Sequence, residues 1–177
     1  MKRILSLLVA LSCSIIVSSQ SIRDLESNPS FKGITIGAPI SKYSNILNFS
    51  HTKDGKNVYR VNDSYYLSIF NTRMQEMLVV EERGKVYAIM LSKNYPPDSD
   101  GYNVFYTKDL LSWYSNLRSR YGNNSYSLDD MSGTPSVCGM RWKSNSVVLD
   151  IIYLFYGTVG NERPQLQYLL YQRTDDY

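Results

Sequence analysis

The chain has 177 residues, with 19 Lys and Arg against 16 Asp and Glu, one His and two Cys. Lys2 and Arg3 lie in an N-terminal segment that we expect to be removed, which leaves 17 basic residues and a near-neutral chain. No basic block remains, and this argues against nucleic acid as a partner. Cys138 is then the only cysteine, so a single hydrophobic core must hold the domain without an intramolecular disulfide.

The N-terminus has the pattern of an export signal. Two basic residues precede the apolar run Ile4–Val17, and small polar residues follow it. The run is shorter than the roughly 20 residues that span a bilayer as a helix. Val17 and Ser19 suit cleavage between Ser19 and Gln20. We therefore predict that residues 1–19 are a signal peptide and that the mature protein is periplasmic or secreted.

Two alternatives for this segment stay open. Cys13 follows the small residue Ser12 and is a possible lipid acceptor, which would make the protein an outer-membrane or cell-surface lipoprotein. However, the apolar run continues through Val17, beyond the cysteine, which is unusual for a lipoprotein signal. The other alternative is an uncleaved membrane anchor, although no basic stop-transfer flank follows.

We predict that the rest of the chain forms one domain. We predict a polar lead-in over residues 20–30, a single domain over residues 31–173 and a frayed tail over residues 174–177. Within the domain, Ser41 is expected to cap a short helix that runs through Leu47.

Turn signals then predict strands. Asp54-Gly55 is typical of a hairpin turn and should precede a strand near residues 57–61, and Tyr65–Phe70 has strand composition. The apolar runs 77–82 and 85–91 flank Arg83-Gly84 and predict a second hairpin, central in its sheet because both of its faces are apolar.

A two-residue loop sets the expected register of this second hairpin. It pairs Glu82 with Lys85, and Val80 with Tyr87.

The clearest helix is predicted from about Lys108 to Tyr121. Thr107 is the expected N-cap, and Gly122 can adopt the left-handed backbone conformation that ends a helix. One face repeats at intervals of three and four residues and should pack into the core: Leu110, Trp113, Tyr114, Leu117 and Tyr121.

Strands return near the C-terminus, at residues 140–143, 146–156 and 166–171. Asp150 interrupts an otherwise apolar strand. In the simplest register Arg141 pairs with Val148, so Arg141 lies diagonal to Asp150 on the same face. We predict a structural ion pair, with a catalytic role for Asp150 as the alternative.

The order helix, meander, helix, meander predicts an α+β fold. Its connections are too short for parallel crossovers, so we expect an antiparallel sheet of roughly seven strands with two main helices packed on one face. A diverged repeat of the two halves is an open alternative.

The segment Ile34-Thr-Ile-Gly-Ala-Pro-Ile-Ser-Lys, ahead of an antiparallel meander, resembles the opening of small exported bacterial α+β proteins. It also resembles domains of the outer-membrane assembly lipoprotein and β-lactamase-inhibitor-protein type. Members of those families are binding modules in which a helical layer lies on an antiparallel sheet whose surface binds another protein. The resemblance covers about a dozen residues, and no functional residue is transferred from it.

The sequence lacks the usual signatures of catalysis. His51 is the only histidine and is expected to be exposed, and no nucleophile elbow, phosphate loop or recognisable metal ligand set is present. We therefore predict no catalytic residues, no metal and no cofactor. A carboxylate pair has no sequence signature, so Asp150 with Glu81 or Glu82 remains a candidate for hydrolysis.

Composition favours a binding role. The chain has 16 Tyr and 5 Phe, and tyrosine suits both half-buried strands and surfaces that bind sugars or proteins. We predict a monomeric, non-enzymatic extracytoplasmic binding module without an integral membrane span in its mature chain. Its ligand would be a protein or a glycan, and its sheet should expose a patch of Tyr and Trp. The alternatives are a small carboxylate-dependent hydrolase and a structural envelope component.

The export prediction can be tested by mass. We expect the intact mass of the exported protein to correspond to a chain that begins at Gln20, because cleavage after Ser19 fits the small-residue preference. A mature chain that begins at a lipid-modified Cys13 would contradict this and support the lipoprotein alternative.

Overall fold

The computed structural model describes residues 21–96, 104–130, 132, 135–155 and 163–174, without the side chains of residues 104–107 and 155. The predicted cleavage site at Ser19 and Gln20, the possible lipid acceptor Cys13 and residues 175–177 lie outside this part of the chain. Among the described residues, no helix combines the length and apolar character needed to cross a bilayer.

Most of the fold is antiparallel sheet, which confirms the α+β class. The strands are β1 Ser30–Phe31, β2 Ile34–Thr35, β3 Leu47–Lys53, β4 Lys56–Val61, β5 Ser68–Ile69, β6 Thr72–Arg73, β7 Glu76–Glu82, β8 Lys85–Asn94, β9 Ser125–Ser127, β10 Ser136–Lys143, β11 Val147–Phe155 and β12 Gln165–Gln172. In the described part of the chain the main sheet has eight strands rather than the predicted seven or so, in the order β3-β4-β7-β8-β12-β11-β10-β9, and two small hairpins, β1-β2 and β5-β6, accompany it.

The helices differ from expectation in position. Helix α1, Ile22–Ser27, lies in the segment predicted to be a polar lead-in. Ser21 caps it, and its Leu25 is buried in the core, so this segment is part of the domain. The helix predicted from Ser41 to Leu47 is wrong, because only a 3-10 turn, Ile40–Tyr43, forms before Leu47 begins β3.

Helix α2, Val104–Tyr121, is the long helix of the fold and begins four residues before the predicted start. Gly122 follows it with a φ of 83°, as expected for a left-handed stop. Trp113, Leu117 and Tyr121 are buried, and Leu110 and Tyr114 pack against the same core. The predicted inward face of this helix is therefore confirmed.

Both predicted hairpin turns form. Asp54-Gly55 joins β3 to β4, and Arg83-Gly84 joins β7 to β8, with positive φ at all four residues. Positive φ at two successive residues matches a type I′ turn, whose twist suits a hairpin. Between Tyr65 and Phe70, in contrast, strand structure is limited to Ser68–Ile69.

Two β-bulges change the registers. In the β7-β8 hairpin Glu82 pairs with Lys85 as predicted, but Val80 pairs with Ala88 because Tyr87 is an extra residue in its strand. In β3, at one edge of the sheet, the register shifts between Phe49 and His51. A bulge adds one residue to a strand without a turn signal, which explains why simple pairing rules missed the first one.

One face of the sheet packs on both helices. Alternate residues of the central strands, such as Val79, Ile89 and Leu149, form a single cluster with Leu25 and Trp113. Their neighbours along the strands lie outside this cluster. The helices therefore cover the same face, as predicted.

The β10-β11 pair contains the tightest backbone approach. At Gly139 an added Cβ atom would lie 2.3 Å from the carbonyl oxygen of Ile151 and 2.9 Å from the Ile152 side chain. Only glycine fits between these strands without a displacement of backbone atoms.

We predict that Gly139→Ala lowers the free energy of unfolding by about 1–3 kcal/mol, as overpacking of a core does. Urea unfolding measures the change. Ser125→Ala, on the neighbouring strand β9, is the control and should alter stability by less than about 0.5 kcal/mol. Equal stability of Gly139→Ala and the wild type would contradict the close approach.

Candidate functional site

A cavity of about 400 Å³ lies between the two small hairpins, helix α2 and the main sheet. We call it the hairpin cavity. Its walls come from Ser30–Lys32, from Ser68–Asn71 and from Tyr168 of β12, and the end of α2 contributes Leu117, Arg120 and Tyr121. Its volume falls in the range of about 300–1,000 Å³ that is usual for small-molecule sites.

Two strained turns shape the walls of this cavity. Lys32-Gly33 joins β1 to β2, and Phe70-Asn71 joins β5 to β6, with positive φ at all four residues. Phe70, with a φ of 45°, is the unusual case, because a left-handed conformation costs a bulky L-residue about 1–2 kcal/mol. Strained backbone of this kind is concentrated at functional sites. Phe70 lies in the cavity wall.

The floor of the hairpin cavity is aromatic. The rings of Phe31 and Tyr168 lie 5.4 Å apart, inclined at 48°. Tyr168 is buried, and desolvation raises the pKa of its phenol, so its hydroxyl stays neutral. Burial also raises the pKa of Tyr121. Phe31, Tyr121 and Tyr168 are at most 7% exposed, so the floor is closely packed, and the ring with more accessible surface in the lining is that of Phe70.

Two cationic side chains line the cavity. Lys32 donates to the carbonyl oxygen of Tyr65 and, at 2.7 Å, to the hydroxyl of Ser68. Burial lowers the pKa of Lys32, and the nearby carboxylate of Asp63 opposes this shift. The guanidinium of Arg120 lies 5.3 Å from the centre of the Tyr121 ring.

These two cations have no carboxylate beside them in the cavity wall. None of the residues that line the hairpin cavity is acidic. Arg120 forms no salt bridge within the described part of the chain. The cavity therefore combines an aromatic floor with net positive charge.

Sequence reasoning missed this site, because its walls come from four segments that are far apart in the chain. One local signal was present: Lys32-Gly33 lies between two short apolar stretches and fits a hairpin turn. Nothing local indicated that this turn would lie beside the end of α2.

The predicted ion pair between Arg141 and Asp150 forms. The two residues are directly opposite in the β10-β11 register, rather than diagonal, because Lys143 and not Arg141 pairs with Val148. Nε and Nη2 of Arg141 each donate to one carboxylate oxygen of Asp150 at 2.7 Å. Asp150 is 4% exposed and also accepts from the hydroxyl of Tyr171 at 3.1 Å.

This geometry is that of a structural ion pair. The hydrogen bonds to Asp150 raise the pKa of Arg141, and burial raises the pKa of Tyr171, so both groups keep their protons. Both carboxylate oxygens of Asp150 are occupied by these hydrogen bonds, which favours the structural role over a catalytic one.

The candidate carboxylate pair is not brought together. β8 and β12 separate β7, which carries Glu81 and Glu82, from β11, which carries Asp150. At about 4.8 Å per strand, this places them at least about 14 Å apart, beyond the roughly 5–10 Å that glycoside hydrolysis needs. Glu81 instead accepts from Gly84 N and, at 2.7 Å, from Nδ2 of Asn57.

The remaining reactive groups are isolated. His51 is exposed on β3, with its Nδ1 3.1 Å from the Ser50 hydroxyl. Cys138 is partly buried, and desolvation, followed by the charge of Asp129, raises the pKa of its thiol. Within the described ranges, no three His, Cys, Asp or Glu side chains are grouped closely enough to hold a metal ion.

The expected surface patch of Tyr and Trp does not form among the described residues. Trp113 and Trp142 are fully buried. Tyr65, 62% exposed, lies in the turn before β5, whereas Tyr126, 45% exposed, lies on the edge strand β9.

A second cavity, of about 450 Å³, lies beside Lys93–Pro96 and Lys108–Asp109. Its polar centre is Asp109, which accepts from Nζ of Lys93 at 2.7 Å and from the hydroxyl of Tyr95. Burial opposes the charged form of Asp109, but the hydrogen bonds from Lys93 and Tyr95, with the charge of Lys93, outweigh it and lower its pKa. This cluster joins α2 to β8 and is structural.

We predict that Asp109→Asn destabilises the protein near neutral pH and that the difference from the wild type shrinks in acid. A carboxyl group with a lowered pKa stabilises the folded state above its unfolded pKa of about 3.9, and this is lost as the pH falls through the lower folded pKa. Urea unfolding from pH 7 to pH 2.5 measures the effect. A difference that grows on acidification would contradict the assignment.

No protein-family model, curated protein or solved structure matches this chain.

Proposed function

We propose that this protein is an exported, non-enzymatic binding module and that the hairpin cavity binds its ligand, a sugar or the end of a glycan. The observation that carries the proposal is a cavity of about 400 Å³ with an aromatic floor and a polar, positively charged rim. Sugars are held in proteins by apolar contact with their C–H faces and by hydrogen bonds to their hydroxyl groups.

The lining supplies both kinds of contact. Phe70, which is partly exposed, offers ring surface, while the hydroxyls of Ser30 and Ser68 and the amide of Asn71 also line the cavity. Serine and asparagine both donate and accept, which suits the mixed donors and acceptors of a sugar ring.

The same lining supports binding rather than catalysis. Its ionisable groups are Lys32, Arg120, Tyr121 and Tyr168, and general acid–base catalysis near neutral pH favours groups that titrate close to that pH. The raised pKa values of both tyrosines move them further from that range, whereas burial lowers the pKa of Lys32, a shift that the charge of Asp63 opposes. Arginine stays protonated throughout.

The volume also limits the ligand. A cavity of about 400 Å³ accommodates one or two sugar rings and cannot enclose a folded partner. We therefore favour a glycan over a protein as the ligand.

We predict that calorimetric titration of the mature chain with neutral and acidic mono- and disaccharides identifies a ligand. Ser68→Phe should weaken its binding at least about tenfold, because the added ring occupies the cavity and removes one partner of Lys32. The matched control is Ser50→Phe, at an exposed serine of β3 outside the cavity, which should bind like the wild type.

Two results would contradict the proposal. One is a ligand whose affinity is unchanged in Ser68→Phe, which would place its site elsewhere. The other is the failure of every sugar to bind the folded wild-type chain at millimolar concentration.

A further inference from the structure

We infer that the ligand of the hairpin cavity is an acidic sugar, a uronic acid or a glycan end that carries a carboxylate, and that Arg120 and Lys32 bind this carboxylate. This inference rests on the proposed sugar-binding function and adds the charge of the ligand and the residues that recognise it. Three features of the cavity carry it.

The first feature is Arg120. It lies in the last turn of α2 and lines the cavity, and no salt bridge involves it in the described residues. Its guanidinium lies 5.3 Å from the centre of the Tyr121 ring, where the π-face orients it. A guanidinium presents a planar fork of donors that matches a carboxylate in a bidentate arrangement.

The second feature is Lys32. An ammonium group has three donors, and two of those of Lys32 are used by the carbonyl of Tyr65 and the hydroxyl of Ser68. These two contacts hold the side chain at the cavity wall, and its Nζ also lies 4.6 Å from the centre of the Tyr65 ring. The third donor remains for an anion.

The third feature is the balance of charge. The lining contains two cations and no carboxylate. Asp63 is the acid whose charge acts on Lys32, and one of its oxygens already accepts from the backbone N–H of Tyr65 at 2.8 Å. A bound carboxylate would therefore neutralise charge that the protein leaves partly uncompensated.

The rim favours an acidic sugar over an apolar acid. Ser30 already donates to Asn28 and Ser68 already accepts from Lys32, but a purely apolar carboxylate would leave their remaining hydrogen-bonding capacity, and the amide of Asn71, unused at the cavity wall. Polar groups that lose water without gaining a partner cost binding free energy. Sugar hydroxyls satisfy them.

The test compares matched probes by calorimetry at low and at high salt. Glucuronate should bind at least about tenfold more tightly than glucose, which has the same ring without the carboxylate, and than benzoate, which has the carboxylate without hydroxyls. High salt should weaken the binding of glucuronate and leave that of glucose unchanged.

Variants then test whether glucuronate is bound in the hairpin cavity by Arg120. Arg120→Gln should weaken glucuronate binding by about 10- to 100-fold, as expected for the loss of a charge-assisted hydrogen bond. Arg118→Gln is the matched control, since Arg118 lies on the same end of α2 but outside the cavity and contacts Asn123. It should bind glucuronate like the wild type. Thermal unfolding establishes that both variants are folded.

The outcomes separate this inference from the proposed function. Binding of glucose as tight as that of glucuronate, and sensitive to Ser68→Phe, would overturn the inference and leave the sugar-binding proposal standing. Tighter binding of benzoate or inorganic phosphate than of glucuronate would overturn the acidic-sugar class. Equal loss of glucuronate binding in Arg120→Gln and Arg118→Gln would overturn the assignment to Arg120. If no sugar binds at all, both proposals fail.

Discussion

The contact between Trp113 and the sheet organises the rest of the structure. Its indole ring is fully buried, and its Nε1 donates to the hydroxyl of Thr72 at 3.1 Å. A buried indole needs a partner for its N–H, so this bond fixes the rotation of α2 as well as its depth. Because Thr72 belongs to β6, the same bond holds the β5-β6 hairpin against the helix. The hairpin cavity depends on that placement, since Phe70 and Asn71 form one of its walls.

Local signals predicted the local elements of this fold well. Turn residues identified the hairpins at Asp54-Gly55 and Arg83-Gly84, and helical periodicity identified the buried face of α2. Arg141 and Asp150 were also predicted as partners, because the strand pattern limited the possible registers. In each case the information lies within about 15 residues of chain, where geometry leaves few alternatives.

The features that the sequence did not reveal are set by distant contacts. Helix α1 has six residues, too few to be stable alone, and depends on the burial of Leu25. The bulge at Tyr87 adds one residue to β8 and has no turn residue that would predict it. The hairpin cavity combines four separate segments, so the composition of any one of them gives no sign of a site. The surplus of tyrosine predicted an exposed patch of Tyr and Trp on one sheet face, and no such patch forms among the described residues.

The β3 bulge has a consequence for the behaviour of the protein at high concentration. β3 is an edge strand of a sheet of eight, and a straight edge exposes backbone N–H and C=O groups that can pair with another chain. The register shift between Phe49 and His51 interrupts that row of groups, and Lys53 places a charge near its end. A second molecule cannot extend the sheet in register past the bulge. The longer of the two edge strands of the main sheet therefore has a feature that opposes edge-to-edge assembly into fibrils.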